Sequence, residues 1–313
     1  VEFESNDSST TDSNTVMDQS NFNISLSETT DGGTTISTSF EIVDEGTVAA
    51  DDDNAIKLTF TDGSAIELLN AGNAAGTHAA AVPGASGEQG IAGTSSNNAP
   101  TGIDFAAGST ALGVEWHSAA DFMADGLKVS ASFSTDNGAA KAAKARQENS
   151  WGVGATYVTT AGDSTVTISG GVADGEIATN ATQASSDKGG FNVGVVAVTG
   201  DLTIGLGYGD GDSFDYETAN IEIDGSVTKA GIKYVTGDLT MALGVTNGEA
   251  KDGSFGTAGT TDDSIDSASA SVTYAVASGV SAVIGYTTVD AQNDGTSITD
   301  SGSAWYVGAT MSF

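Results

Sequence analysis

Ser303-Ala304-Trp305-Tyr306-Val307-Gly308-Ala309-Thr310-Met311-Ser312-Phe313 is the last stretch of the chain. Trp305, Val307, Ala309, Met311 and Phe313 hold alternate positions, with Tyr306, Gly308, Thr310 and Ser312 between them. Successive side chains of a strand point to opposite faces, so this reads as a strand with one apolar face.

The same period of two recurs upstream. Phe22, Ile24 and Leu26 flank Asn23 and Ser25, and Ile36, Phe40 and Ile42 are in phase around Ser39 and Glu41. Ile56 and Leu58 flank Lys57; Val114 and Trp116 flank Glu115; Leu127, Val129 and Ala131 flank Lys128 and Ser130. The pattern continues through Trp151, Val153 and Tyr157, then Phe191, Val193 and Val195, then Leu202, Ile204 and Tyr208. It closes with Ile232 and Tyr234, Leu239 and Met241, Val272 and Tyr274, and Ile284 and Tyr286.

Short and long connections alternate between these runs. Tight turns sit at Asp31-Gly32-Gly33, Asp62-Gly63, Ala161-Gly162-Asp163, Thr199-Gly200-Asp201, Thr236-Gly237-Asp238 and Ser278-Gly279, with a looser one over 119–126. Gly and Asp accept the positive φ that short hairpins need. Long polar segments cover 5–19, 45–53, 71–108, 136–148, 174–188, 210–225, 249–264 and 291–302. Thr199-Gly200-Asp201-Leu202-Thr203 returns as Thr236-Gly237-Asp238-Leu239-Thr240. The sum is sixteen antiparallel strands in one domain over 1–313. An even strand number with short turns at one end and long loops at the other describes an outer-membrane β-barrel. The aromatics Trp116, Trp151, Trp305, Tyr157, Tyr208, Tyr234, Tyr274 and Tyr286 fall near strand ends on the apolar phase, as interfacial girdles require.

Composition narrows the partners. Nine Lys+Arg stand against 42 Asp+Glu, a formal net charge of −33, which excludes nucleic acid because binding there needs basic patches. There is no Cys, hence no thiol chemistry and no disulfide. No run of about 18 apolar residues offers a helical membrane span. The same acidic, Gly-rich composition suits a secreted or surface-layer adhesive β-repeat protein, and that is the competing reading. The alternation of loop lengths and the closing aromatic strand favour a pore.

These features resemble the general diffusion porins of α-proteobacteria over nearly the whole chain. The terminal strand ending in Phe313 is similar to the C-terminal signature of outer-membrane barrels. The stretch 21–40 with its Glu28-Thr29-Thr30-Asp31-Gly32-Gly33 turn looks like the second and third strands of those porins. The stretch 63–76, with Ile66-Glu67-Leu68, is similar to their fifth strand running into the third loop. The resemblance implies a passive channel for ions and small hydrophilic solutes, a homotrimer, and a third loop, 71–108, folded into the pore. It also implies outer-membrane lipid and lipopolysaccharide as surroundings. Two departures stand out. Only Val1 and Phe3 alternate before Ser5-Asn6-Asp7, so earlier residues of the first strand are expected ahead of Val1. The family's wall typically carries an arginine cluster, whereas the one Arg here, Arg146, falls in a long loop.

No catalytic constellation is legible. His78 lies in the long loop and His117 at a strand end, and neither has a partner at metal-ligand spacing; both read as ordinary polar residues. No nucleophile elbow is present. No cofactor is expected. The acidic clusters Asp51-Asp52-Asp53, Asp210, Asp212 and Asp215, and Asp262-Asp263 with Asp266 read as a solvated rim that holds Ca²⁺ or Mg²⁺ loosely at most. With the apolar residues facing lipid, Glu41, Lys57, Glu67, Glu115, Lys128, Lys229 and Lys233 face inward, joined by Glu88 and Asp104 from the long loop. A lipid-facing Lys near the midplane would cost about 2–4 kcal/mol, which supports the inward side. Opposed Lys and carboxylate groups there would set up a transverse field. The net charge adds an expected preference for cations.

Removing Phe313 is expected to impair barrel assembly, because the last strand must pair with the first to cover both edges. Membrane yield of folded protein checks this; an undiminished yield would refute it.

Overall fold

Apolar and polar residues that alternate along a strand must sit on opposite faces of the sheet. In the computed structural model the apolar set is the exposed one. The structure describes residues 2–8, 13–17, 21–43, 56–68, 73–86, 113–136, 146–178, 185–214, 222–251, 263–293 and 298–312. Leu243, Ile284, Tyr286 and Trp305 are each about half exposed on the outside, while nearly every buried hydrophobic residue is Ala. Val227, Val283 and Tyr306 are the larger exceptions among the described residues. A soluble domain does the reverse and hides its largest apolar side chains.

The strands are β1 (Glu2–Ser8), β2 (Ser13–Met17), β3 (Asn21–Thr29), β4 (Thr35–Val43), β5 (Ile56–Thr59), β6 (Ala65–Leu68) and β7 (Gly113–His117). They continue as β8 (Leu127–Asp136), β9 (Arg146–Ala161), β10 (Ser164–Ala178), β11 (Ser185–Thr199) and β12 (Leu202–Phe214). The last five are β13 (Glu222–Thr236), β14 (Leu239–Lys251), β15 (Asp263–Ala277), β16 (Val280–Asn293) and β17 (Ile298–Met311). The single helical turn among the described residues, α1 (Ala74–Thr77), follows β6.

Each strand from β3 to β17 pairs antiparallel with the next. The ladder continues past β17, because β17 pairs β1 (Phe3↔Val307) and β1 pairs β2 (Phe3↔Val16). β2 and β3 are consecutive pieces of chain with no described pairing to each other. Among the described residues the ladder thus runs from β3 through β17 and β1 to β2, seventeen strand segments where the sequence predicts sixteen strands, with no pairing that joins its two ends. Among the described residues no helix is long and apolar enough to cross a membrane.

The long polar segments are shorter than the sequence suggests. The stretch 5–19 is not one loop: Ser5, Asn6 and Asp7 pair with Trp305, Ala304 and Ser303, and Ser13 to Met17 pair back onto β1. Strand also covers 174–178 and 185–188, 210–214 and 222–225, and 249–251 and 263–264. Arg146 opens β9 opposite Ala178 and is not a loop residue. Asp210 and Asp212 belong to β12, and Asp263 and Asp266 to β15, so these acids are likewise on strands. The physical reason is common to all. Backbone ladders continue past the apolar band, and beyond it the side chains no longer alternate. Asp51-Asp52-Asp53, Asp215 and Asp262 lie outside the described residues.

The short turns follow the expected chemistry. At the β15–β16 turn Gly279 has φ +73°, and Ser312 N–H donates to its carbonyl at 2.8 Å. A Cβ on Gly279 would strike the Ser312 carbonyl oxygen. Gly279→Ala therefore adds a left-handed penalty of about 1–2 kcal/mol and breaks the tie to the terminal strand. The thermal midpoint of the folded barrel, followed by circular dichroism in detergent, is expected to fall; an unchanged midpoint would contradict this.

Candidate functional site

Two sets of residues meet on the inner face: a row of charged side chains on β5 to β8, and the chain segment 73–86. The row follows from register. Lys57 pairs with Glu67, Glu67 with Glu115, and Glu115 with Ser132. Directly opposed carboxylates repel, so Glu67 and Glu115 need compensation. Lys57 Nζ donates to Glu67 Oε1 at 2.6 Å. His117 Nε2 lies 3.4 Å from that same oxygen. Thr77 Oγ1, from α1, donates to Glu115 Oε1 at 2.8 Å. Glu115 is only 1% exposed, a carboxylate held beneath the helical turn.

Asn73 caps α1, accepting from Ala75 N–H through its side chain at 2.9 Å. Ala74 N–H donates to Ser132 Oγ on β8 at 3.0 Å. His78 bonds Ser130 on β8 through Nε2 (2.9 Å) and Thr156 on β9 through Nδ1 (2.7 Å). Asn192 on β11 donates to Ala75 O at 2.9 Å. Farther along, Ala80 packs on Val227 of β13. Ser86 N–H donates to Ser271 Oγ on β15 at 2.8 Å, and the Tyr306 hydroxyl on β17 donates to Ser86 O. Fourteen residues thus reach across the wall from β8 to β17.

A run of glycines makes room for this. A Cβ on Gly154 of β9 would strike Ala74 and His78; on Gly171 of β10, Ala75; on Gly194 of β11, Ala80. On Gly205 of β12 it would strike Val82 and Pro83, and on Gly231 of β13, the Pro83 carbonyl. Five consecutive strands each present a Gly where the segment crosses. The sequence reading takes glycine as a turn residue and misses this track. Its signal is Gly recurring on the polar phase of neighbouring strands.

Of the sequence-predicted wall residues, Lys57, Glu67 and Glu115 come together. Lys128 lies on the same face of β8, opposite Thr156. Lys229 and Lys233 stand apart on β13, opposite Thr246 and Ala242 of β14. Glu41 is on β4 opposite Asn23, with its side chain outside the described residues; Glu88 and Asp104 also lie outside them. His78 and His117, read from sequence as ordinary polar residues, are instead joined through Ser130, whose Oγ is 2.9 Å from His117 Nδ1 and from His78 Nε2. Their separation in sequence hid this.

Residues 1–311 match the family described as Gram-negative porin. The chain belongs to that family. No curated protein matches it. Among solved structures, the anion-selective porin from Comamonas acidovorans is 10% identical with a TM-score of 0.67, over 99% of this chain and 98% of that one. OmpT of Vibrio cholerae, in its trimer form, is 16% identical with a TM-score of 0.61, over 99% of this chain and 96% of that one. OmpF of Salmonella typhi, in complex with daunomycin, is 15% identical with a TM-score of 0.61, over 99% and 95%. At such identities the likeness is one of fold, a porin β-barrel. A Gram-negative porin resides in the bacterial outer membrane, and its half-exposed outer Leu, Ile, Tyr and Trp face lipid.

Burial foremost, with further repulsion from His117 and Lys128, holds the His78 imidazole below its ordinary value of 6.5. The folded porin therefore favours the neutral ring, while the unfolded chain takes up the proton first. That contribution to stability is complete above about pH 6.5 and is lost as pH falls through 6.5 and below. The thermal midpoint of the wild type should drop between pH 7.5 and pH 5 by more than that of His78→Gln. Equal drops would show that His78 carries none of the dependence.

Proposed function

We propose that this porin is a passive channel for ions and small hydrophilic solutes, narrowed by the segment 71–108, and that it works as a homotrimer surrounded by outer-membrane lipid and lipopolysaccharide. The supporting observation is the attachment of 73–86 to the polar face of β8 to β17, the face turned away from the lipid-facing residues. Material laid on that face takes up lumen. The Lys57–Glu67 pair, with Glu115 buried behind it, lies next to the start of the segment, and passing solutes meet opposite charges side by side there. Such a pair orients dipolar solutes. The trimer rests on likeness to the trimer form of the Vibrio outer membrane protein OmpT.

An adhesive β-repeat protein would leave Phe22, Leu243, Ile284 and Trp305 in water, so the pore is the better reading. A hydrolase is disfavoured too. Ser130 sits between two imidazoles, yet it is 2% exposed and both its neighbours already engage its hydroxyl.

The channel also prefers cations weakly. Support comes from the net charge of −33, since one sign of charge at a narrow mouth enriches the counter-ion. The wall lysines Lys57, Lys128, Lys229 and Lys233 work against it. The preference should fade near 1 M salt, where the Debye length is about 3 Å.

Planar bilayers test both halves. Deleting 80–98 should raise single-channel conductance while the barrel still folds; unchanged conductance would mean that this segment does not narrow the pore. The reversal potential in a KCl gradient should show cation preference at low salt and lose it at high salt. Anion preference at low salt would overturn that part.

A further inference from the structure

We propose that Glu67, Glu115 and His117 form a binding site for a borderline transition-metal dication, of which Zn²⁺ is the type, on the inner wall of the barrel. One donor atom from each of the three lies within 4.8 Å of the others. One arrangement of protons satisfies the neighbouring hydrogen bonds with both rings neutral. His78 Nδ1 donates to Thr156, Ser130 donates to His78 Nε2, and His117 Nδ1 donates to Ser130. That arrangement leaves the lone pair of His117 Nε2 free. This nitrogen is buried and has no hydrogen-bond partner. It faces Glu67 Oε1 at 3.4 Å; the converse arrangement turns its N–H toward that carboxylate, and a metal at the site takes the place of this proton. Two ligands about 2.1 Å from a tetrahedral metal stand about 3.4 Å apart. The third donor, Glu115, is a buried carboxylate that accepts from the hydroxyl of Thr77.

The chemistry selects the metal class. An imidazole nitrogen suits Zn²⁺, Ni²⁺ or Cu²⁺, whereas Ca²⁺ and Mg²⁺ require oxygen ligands throughout. Ser130 on the far ring nitrogen is the kind of outer partner that fixes a ligating histidine. Lys57 is the competitor. Its ammonium sits 2.6 Å from the same Glu67 oxygen, and its side chain is 44% exposed on a flexible stem. It supplies positive charge to Glu67 when no metal is bound and can swing away when one is. Metal binding therefore places two positive charges on the wall and releases a third toward the lumen.

The test uses the intact porin in detergent, titrated with Co²⁺ and followed by visible absorption, then displaced with Zn²⁺. This readout does not require conduction, so it stands or falls separately from the channel function. Intense tetrahedral-type absorption saturating at one Co²⁺ per chain is expected, displaced by Zn²⁺ and untouched by excess Mg²⁺. Removing an outer partner costs about 10–100-fold in affinity, so Ser130→Ala should weaken binding by that factor and His117→Gln by at least as much. Lys57→Met should tighten it by up to about fivefold, the worth of a half-exposed ion pair. The rise with Lys57→Met cannot come from misfolding. Equal Co²⁺ binding by the wild type and His117→Gln would overturn the proposal, as would displacement by Mg²⁺ or weaker binding by Lys57→Met.

Discussion

Lipid offers no hydrogen bonds, so each backbone N–H and C=O that faces it must be paired within the protein. Every other feature of this porin follows from that rule. Strands must pair on both sides, so β17 comes round to β1 and the sheet has no free long edge there. Large apolar residues move to the outer surface, because that is where the apolar solvent is. The inner face is left to small and polar residues: Ser130, Ser169, Gly194, Gly205 and Ala242.

A wall of small residues leaves space, and the segment 73–86 fits against it. It needs no apolar core of its own. Its hydrogen bonds to Ser132, Ser130, Thr156, Asn192 and Ser271 take the place of one. The glycine track lets backbone lie against backbone, where dispersion contacts are dense and a single methyl group would force the two apart. The charged row belongs to the same design. Glu115 can be buried only because Thr77 reaches it from the segment, and Glu67 can oppose Glu115 only because Lys57 and His117 stand beside it.

The barrel was legible in sequence because period-two alternation and positive-φ turn residues are local signals. Phe22 to Leu26 and Trp305 to Met311 announce their faces without help from any other part of the chain. The extensions were not legible, because past the apolar band the ladder persists on backbone alone, as at Asn6 and Asp7. Phase alone puts Lys57, Glu67 and Glu115 each on the polar face of its own strand. Their convergence depends on register across three strands, which phase does not supply. His78 and His117 were read as unremarkable because the Ser130 that joins them lies 52 residues from His78. Gly carries no hydropathy, so the track was invisible to a reading based on apolar alternation.

The far anchor of the segment has a consequence for the order of events in assembly. Ser86 is bonded to Ser271, 185 positions away, and to Tyr306, 220 positions away. Neither partner is in place until the last hairpins have joined the sheet. Closing such distances costs entropy that nothing local returns beforehand. The segment therefore docks at its near end first, on β8 and β9, and at its far end only when the barrel is otherwise complete. A half-built barrel carries the segment by one end, and its second attachment arrives as the final act of folding.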